Sequence, residues 1–327
     1  MVGKKRVLVT GGAGCIGLEV YNQLIKEGYH PIVYDLIEKI QKVSKFVKIK
    51  EFFYGSILDR ALLSKAMQNV DYVVHLAAHL GVQRTEEEPL RCLEININGS
   101  KNVFETALQS NVRRVIFASS SEVYGEPLEK YVSEKSITQG KSVYAISKLA
   151  GEEYLKALCK ENKKFTGIVI RFFNTFGPYQ TAQFVIPKFI NLVKNNFSPI
   201  INGTGEQVRS YCYVSDSALG TVNALKKNKY KENFSIFNIG NPNNSISVLS
   251  LAKQIIDLSK KNIKPRINKE FSKTDRKKER EVFARLCDIT KAKSELKFIP
   301  KINLISGLEK TYNSEILWED WPKHNKI

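Results

Sequence analysis

Arg6-Val7-Leu8-Val9-Thr10 is a β-branched, apolar run that passes without a break into Gly11-Gly12-Ala13-Gly14-Cys15-Ile16-Gly17 and an apolar helical stretch. Glycines spaced G-x-x-G-x-x-G permit a tight turn, a close backbone approach to a pyrophosphate, and close packing of helix on strand. A helix that starts there aims free N–H groups and the positive end of its dipole at bound phosphates. A bare glycine pattern says little, but one that follows a strand and opens a helix marks a dinucleotide site. Gly11, Gly14 and Gly17, with Cys15 and Ile16 between them, are therefore expected at a cofactor. Asp35 closes the second strand candidate, where a carboxylate accepts hydrogen bonds from adenosine ribose hydroxyls and repels a 2′-phosphate. Leu36, Ile37 and Glu38 supply no arginine for such a phosphate. NAD is favoured over NADP.

Outward from this loop, strand candidates at 6–10, 31–35, 48–54, 72–77, 114–119 and 167–172 alternate with helical segments near 16–27, 60–68, 90–110 and 144–160. Such alternation predicts an α/β fold, a Rossmann-type doubly wound parallel sheet with right-handed crossovers and helices on both faces. After Gly177-Pro178 the pattern loosens into helices near 186–194, 215–225 and 248–259 and short strands such as 234–239. The expected division is a NAD-binding Rossmann domain over 1–177, with a returning segment near 234–240. A smaller mixed α/β C-terminal lobe, mainly for substrate, follows over 178–327.

A chain of 327 residues has ample length for a core, and 43% hydrophobic content argues against wholesale disorder. No apolar run approaches the ~18–20 residues that cross a bilayer. Lys4, Lys5 and Arg6 lead straight into the first strand candidate, so no signal segment is expected. The odd number of scattered cysteines, five, fits reduced thiols, and a cytoplasmic location is expected. The net charge of +18 raises nucleic acid, membrane surface and anionic ligands as partners. Residues 260–280 alone hold ten Lys or Arg against three acidic residues, read as a solvated surface. Since nothing in the chain reads bases or inserts into lipid, neither nucleic acid nor membrane is expected. His75 and His79 flank a strand end without a nearby His or Cys, so no metal site is expected either. Cys15 and Cys212 read as packing residues.

Tyr144-Ala145-Ile146-Ser147-Lys148 places Tyr144 and Lys148 on one face of a helix. A phenol is a poor base at neutral pH, its ordinary pKa being ~10. A neighbouring ammonium and a cationic nicotinamide ring favour phenolate, so the pair can take a proton from a substrate hydroxyl. Ser119-Ser120-Ser121-Glu122 ends a parallel strand, outside whose carboxyl end ligands bind, so a serine there can share that hydroxyl.

With glycine loop, strand-end serine and Tyr–Lys pair in this order, the chain resembles an extended short-chain dehydrogenase/reductase of the NAD-dependent epimerase/dehydratase family, which acts on nucleotide sugars. Within it the chain is similar to UDP-glucose 4-epimerases. Further resemblances are His75-Leu76-Ala77-Ala78, Asn96-Ile97-Asn98-Gly99-Ser100, Arg171-Phe172-Phe173-Asn174-Thr175-Phe176-Gly177-Pro178 and Gly203-Thr204-Gly205-Glu206-Gln207-Val208-Arg209. Tyr213-Val214-Ser215-Asp216 and Asp288-Ile289-Thr290-Lys291-Ala292-Lys293 complete the set. The resemblance implies that Ser120, Tyr144 and Lys148 are catalytic, with Glu122 catalytic or orienting the Ser120 loop. It implies that Leu76, Ala77, Ala78, Asn96, Ser56 and Ile57 meet NAD, Ser56 standing where the family usually has an aspartate on adenine. It assigns Ser121, Asn174 and Arg209 to a nucleotide-diphosphate sugar, a UDP-sugar favoured. Arg280 joins them, although the family's arginine falls where Lys277 and Lys278 stand. Helices 90–110 and 144–160 are expected to pair with their mates in a homodimer.

Members differ in the fate of the ketosugar. An epimerase returns the hydride to the other face and needs no further acid–base pair. A 4,6-dehydratase must also eliminate water, and the resembling enzymes carry Thr-Asp-Glu where this chain has Ser120-Ser121-Glu122. A UDP-glucuronate decarboxylase fits that triplet better, but its Pro-rich segment is replaced here by Gly81-Val82-Gln83-Arg84-Thr85. The expectation is an epimerase, ahead of a decarboxylase, a dehydratase or a simple dehydrogenase. A non-catalytic NAD sensor or RNA-binding relative is disfavoured because Tyr144 and Lys148 are both kept.

Overall fold

The computed structural model describes residues 4–181, 183–268 and 282–314. Seven strands form the central sheet: β1 (Arg6–Thr10), β2 (His30–Asp35), β3 (Phe52–Tyr54), β4 (Tyr72–His75), β5 (Arg114–Ser120), β6 (Thr166–Phe172) and β7 (Phe234–Ile239). Their order is β7-β6-β5-β4-β1-β2-β3, and every neighbouring pair is parallel. The order reverses between β1 and β4, which opens a crevice at the carboxyl ends of those strands.

Because side chains alternate along a strand, a sheet covered on both faces calls for near-continuous apolar runs. Val7, Val9, Val74, Ile116, Ile168 and Ile170 pack on one face, with Val20 and Leu24 from helix Cys15–Lys26 and Val222 from helix Val214–Lys226. Leu8, Val73, Val115, Phe117 and Val169 pack on the other, against Val103 of helix Ser100–Gln109 and Leu155 of helix Val143–Glu161. The Rossmann expectation holds.

Some boundaries differ. The strand expected over 48–54 is reduced to β3, since only Val33–Asp35 of β2 offers it a register. The helix expected over 90–110 starts at Pro89 and widens into a π-helical turn over Glu94–Gly99 before continuing as Ser100–Gln109. Helices Ile37–Ser44 and Val82–Glu87 also form, where no element was expected.

The second lobe has a four-stranded sheet in the order Ser245–Ser247, Val208–Ser210, Ala284–Cys287, Tyr131–Val132. It has its own core around Phe176, Phe189, Tyr211, Leu251 and Leu308. Elements cross between the two layers on either side of 177/178. Tyr131–Val132 pairs with the second lobe, helix Val214–Lys226 packs under the central sheet, and β7, at the position of the returning segment near 234–240, forms the edge of that sheet. The apolar faces of these elements, rather than their order in the chain, select the layer they join.

Candidate active site

The crevice at the switch point is a cleft of about 670 Å³ lined by both lobes. The glycine loop forms its floor. Gly11 has φ +69°, and its N–H donates to the Tyr34 carbonyl at 2.9 Å. A Cβ on Gly17 would lie 2.2 Å from the Gly11 oxygen, so only glycine lets this helix start so close to the loop. The first turn, beginning at Cys15 and Ile16, has no side-chain cap at Gly14, and all of these residues line the cleft. The Cys15 thiol is pushed up to about 12 by burial, which leaves it a neutral packing group.

Asp35 accepts from the Ala13 N–H at 2.9 Å and the Leu36 N–H at 2.8 Å. It thus ties the phosphate loop to the end of β2, while its carboxylate lines the cleft. Burial raises its pKa, and those two N–H groups oppose the shift. Ser56, Ile57, Leu76, Ala77 and Ala78 line the same side. The cradle that extra Cβ atoms would fill, with an acceptor at its ribose end, fits a dinucleotide that lacks a 2′-phosphate.

Asn96 is not among the residues that line the cleft. It is buried behind the cleft wall, where its Oδ1 accepts from the His79 N–H at 2.8 Å and its Nδ2 donates to Ser147 Oγ at 3.0 Å. The π-helical turn shifts the register of the helix and points Asn96 at these groups, so it braces the β4 loop and the Tyr–Lys helix instead of lining the cleft. His75 lies deeper still, with its ring nitrogens on Thr10 Oγ1 (2.7 Å) and Ser100 Oγ (2.9 Å).

Across the cleft, Ser142 caps helix Val143–Glu161 by accepting from the Ala145 N–H at 3.1 Å and donates its own hydroxyl to Glu122 at 3.1 Å. This fixes Tyr144 in the first turn and Lys148 one turn on. Lys148 is 2% exposed, and its Nζ lies 4.9 Å from the Phe117 ring centroid and 5.8 Å from that of Tyr144. Burial lowers its pKa to about 8, opposed by Cys92 and Glu152. The Tyr144 phenol is raised by burial and by the Glu122 carboxylate, and its hydrogen bond with Ser120 opposes this. Without ligands the pair therefore rests as neutral phenol over a readily titrated amine. Ser120 Oγ also accepts the Glu122 N–H at 3.2 Å.

A buried network to which the motifs gave no role backs this wall. Glu152, one turn after Lys148, accepts from Arg171 Nε at 3.0 Å and Nη2 at 2.6 Å and from the Ser119 hydroxyl. Arg171 stacks 4.8 Å from the Tyr124 ring centroid.

On the side of the cleft expected to face the substrate, Asn174 has φ +35°, and its Nδ2 donates to the Ser210 carbonyl at 3.0 Å. Arg209 donates to the Val208 and Val282 carbonyls at 2.9 and 2.6 Å. Both line the cleft, as do Ser121 and Glu122. Arg280 lies outside the described residues. Sequence reading missed Arg285, which lines the cleft at 4% exposure and donates to Gly125 O at 3.2 Å and Ser121 Oγ at 3.5 Å. Its one available signal was a cation three residues before Asp288 in an otherwise apolar strand.

Comparison with known proteins agrees with this geometry. Residues 7–240 match the model of the NAD dependent epimerase/dehydratase family. A dTDP-D-glucose 4,6-dehydratase of Bos taurus is 34% identical over 266 residues, 78% of this chain and 73% of its own. A UDP-N-acetyl-alpha-D-glucosaminuronate decarboxylase of Bacillus cytotoxicus is 32% identical over 323 residues, 94% of this chain and 97% of its own. Among solved structures, the UDP-glucose 4-epimerase of Thermotoga maritima with UDP-glucose superposes with a TM-score of 0.83 at 30% identity, covering 94% of this chain and 97% of that one.

Proposed function

The chain belongs to the NAD dependent epimerase/dehydratase family, and from that premise we propose that it is an NAD-dependent nucleotide-sugar epimerase, with a UDP-sugar as the favoured substrate. The glycine loop, Asp35 and 76–78 would hold the NAD, with Tyr144 and Lys148 facing it. When bound, NAD supplies a hydride acceptor that later returns the hydride, and a positive ring near the phenol. Tyr144 takes the proton of the sugar hydroxyl and gives it back, and Ser120 shares that hydroxyl. Lys148 supplies the nearby ammonium that helps the phenol ionise. Asn174 and Arg209 face the diphosphate.

The observation that carries epimerase over dehydratase is Ser121. Elimination of water needs an acid beside the trio, and the residue after Ser120 offers a hydroxyl that receives a hydrogen bond from Arg285. The Glu122 carboxylate, meanwhile, holds Ser142. A single reversible base is what epimerisation requires. Arg285 itself favours a second reading, loss of CO2 from a uronic-acid nucleotide, because a buried guanidinium in the sugar cleft would attract a carboxylate.

Incubation of the purified protein with UDP-, dTDP- and GDP-sugars, neutral and uronic, followed by mass spectrometry and NMR, tests both. Unchanged mass with inverted stereochemistry supports the epimerase. Loss of CO2 from a uronate selects the second reading, and loss of water sinks both. We also propose a homodimer through helices 89–109 and 143–161, which expose Leu90 and Ile146. Light scattering that gives a monomer at micromolar concentration would exclude it.

A further inference from the structure

Tyr179 follows Gly177-Pro178 with φ +63°, a left-handed conformation that a bulky residue seldom takes unless its surroundings hold it there. Those surroundings belong to the other lobe. The Tyr179 side chain packs against a cluster containing Ala13, Val33, Ile40 and Val43, drawn from the glycine loop, β2 and helix Ile37–Ser44. Its ring centroid is 6.5 Å from that of Phe46, just past the same helix. Behind it, Gln180 Nε2 donates to the Thr175 carbonyl at 2.7 Å and fixes the root of the turn. Tyr179 thus reaches across the cleft at its Asp35 end, where it lines the wall with Leu36 and Val43.

We propose that Tyr179 retains the dinucleotide, its ring closing the cleft over the adenosine end from the substrate lobe. This rests on reading the cleft as an NAD site. The contact is apolar, so it acts by covering the exit and excluding water, and a cofactor seated beneath it leaves only when the ring moves. Retention suits a reaction that returns its hydride within each turnover, whereas a dehydrogenase that must exchange its cofactor would be slowed by the same contact. Since the backbone at Tyr179 is held against its own preference, the cross-lobe contact keeps the ring in place, and removing either side of that contact loosens it.

The test loads the protein with NADH, chases with excess NAD, and follows the loss of bound-NADH fluorescence in wild type, Tyr179→Phe, Tyr179→Ala and Phe46→Ala. Tyr179→Phe keeps the ring and is expected to release NADH at the wild-type rate. Tyr179→Ala and Phe46→Ala are expected to release it about tenfold faster or more, a factor equivalent to about 1.4 kcal/mol. Phe46 is 45% exposed, so its truncation spares the core and decides the matter should Tyr179→Ala fail to fold by thermal melting. Release as slow as wild type in Phe46→Ala and in any folded Tyr179→Ala overturns the role of Tyr179 while leaving the NAD site intact. A wild-type protein that binds no NADH overturns both.

Discussion

Lys148 gives the sharpest quantitative test of the catalytic wall, because its burial has a cost that pH can switch off. In the folded chain without NAD its pKa is lowered from 10.5 to about 8 by desolvation. Between those values the unfolded chain binds the proton and the folded chain does not, so stability rises with pH through that window. Below pH 8 both states are protonated and the folded state bears the whole penalty, at about 1.4 kcal/mol per pKa unit some 3 kcal/mol. Lys148→Met keeps the apolar stem and removes the charge. At pH 7 that variant is therefore expected to be more stable than wild type by up to about 3 kcal/mol, and at pH 10 by only about 1 kcal/mol. Tyr144, whose raised pKa lowers stability as pH rises through the ordinary phenol value, is present in both proteins and so drops out of the difference between them. Urea unfolding of both NAD-free proteins at pH 7, 8, 9 and 10 measures the gap. A gap that stays constant, or widens as pH rises, would refute the idea that Lys148 sits desolvated behind Tyr144.

Tyr144→Phe removes the acid–base oxygen and little volume, so turnover on the assigned sugar is expected to fall about 10²- to 10⁴-fold. NAD binding by fluorescence titration should survive, and near wild-type turnover would contradict the assignment. Gly17→Ala places a Cβ 2.2 Å from the Gly11 oxygen, which backbone alone cannot relieve without moving the phosphate loop. A loss of about 1–3 kcal/mol in stability is expected from such overpacking, with at least about tenfold weaker NAD binding. Unchanged affinity in that variant would mean that the loop does not cradle the pyrophosphate. Arg285→Gln is expected to depress turnover of uronic-acid nucleotides more than that of neutral ones, and equal losses on both would remove the carboxylate from its role.

What the sequence shows plainly is what short-range chemistry decides. The glycine loop was readable because strand, turn and helix follow within twelve residues, and φ +69° at Gly11 is a demand that one residue type meets best. The sheet was readable because the strands buried on both faces are apolar along most of their length. The Asn96 position was not, because a π-helical turn inserts register that a 3.6-residue period does not count, and such turns gather at functional sites. Asn96 carries the family's motif yet works one layer back, bonding His79 and Ser147 so that β4 and the Tyr–Lys helix keep their spacing. Arg285 and Tyr179 were hidden for a different reason. Each reaches the cleft from a distant part of the chain, Arg285 through a strand that pairs with Val208–Ser210 and Tyr131–Val132, and Tyr179 through a contact with the opposite lobe. A motif records residues that act beside their chain neighbours. The residues that close this cleft act beside residues brought to them by the sheet order, so Ser120, Tyr144 and Lys148 could be singled out from local pattern while Arg285 and Tyr179 required the fold.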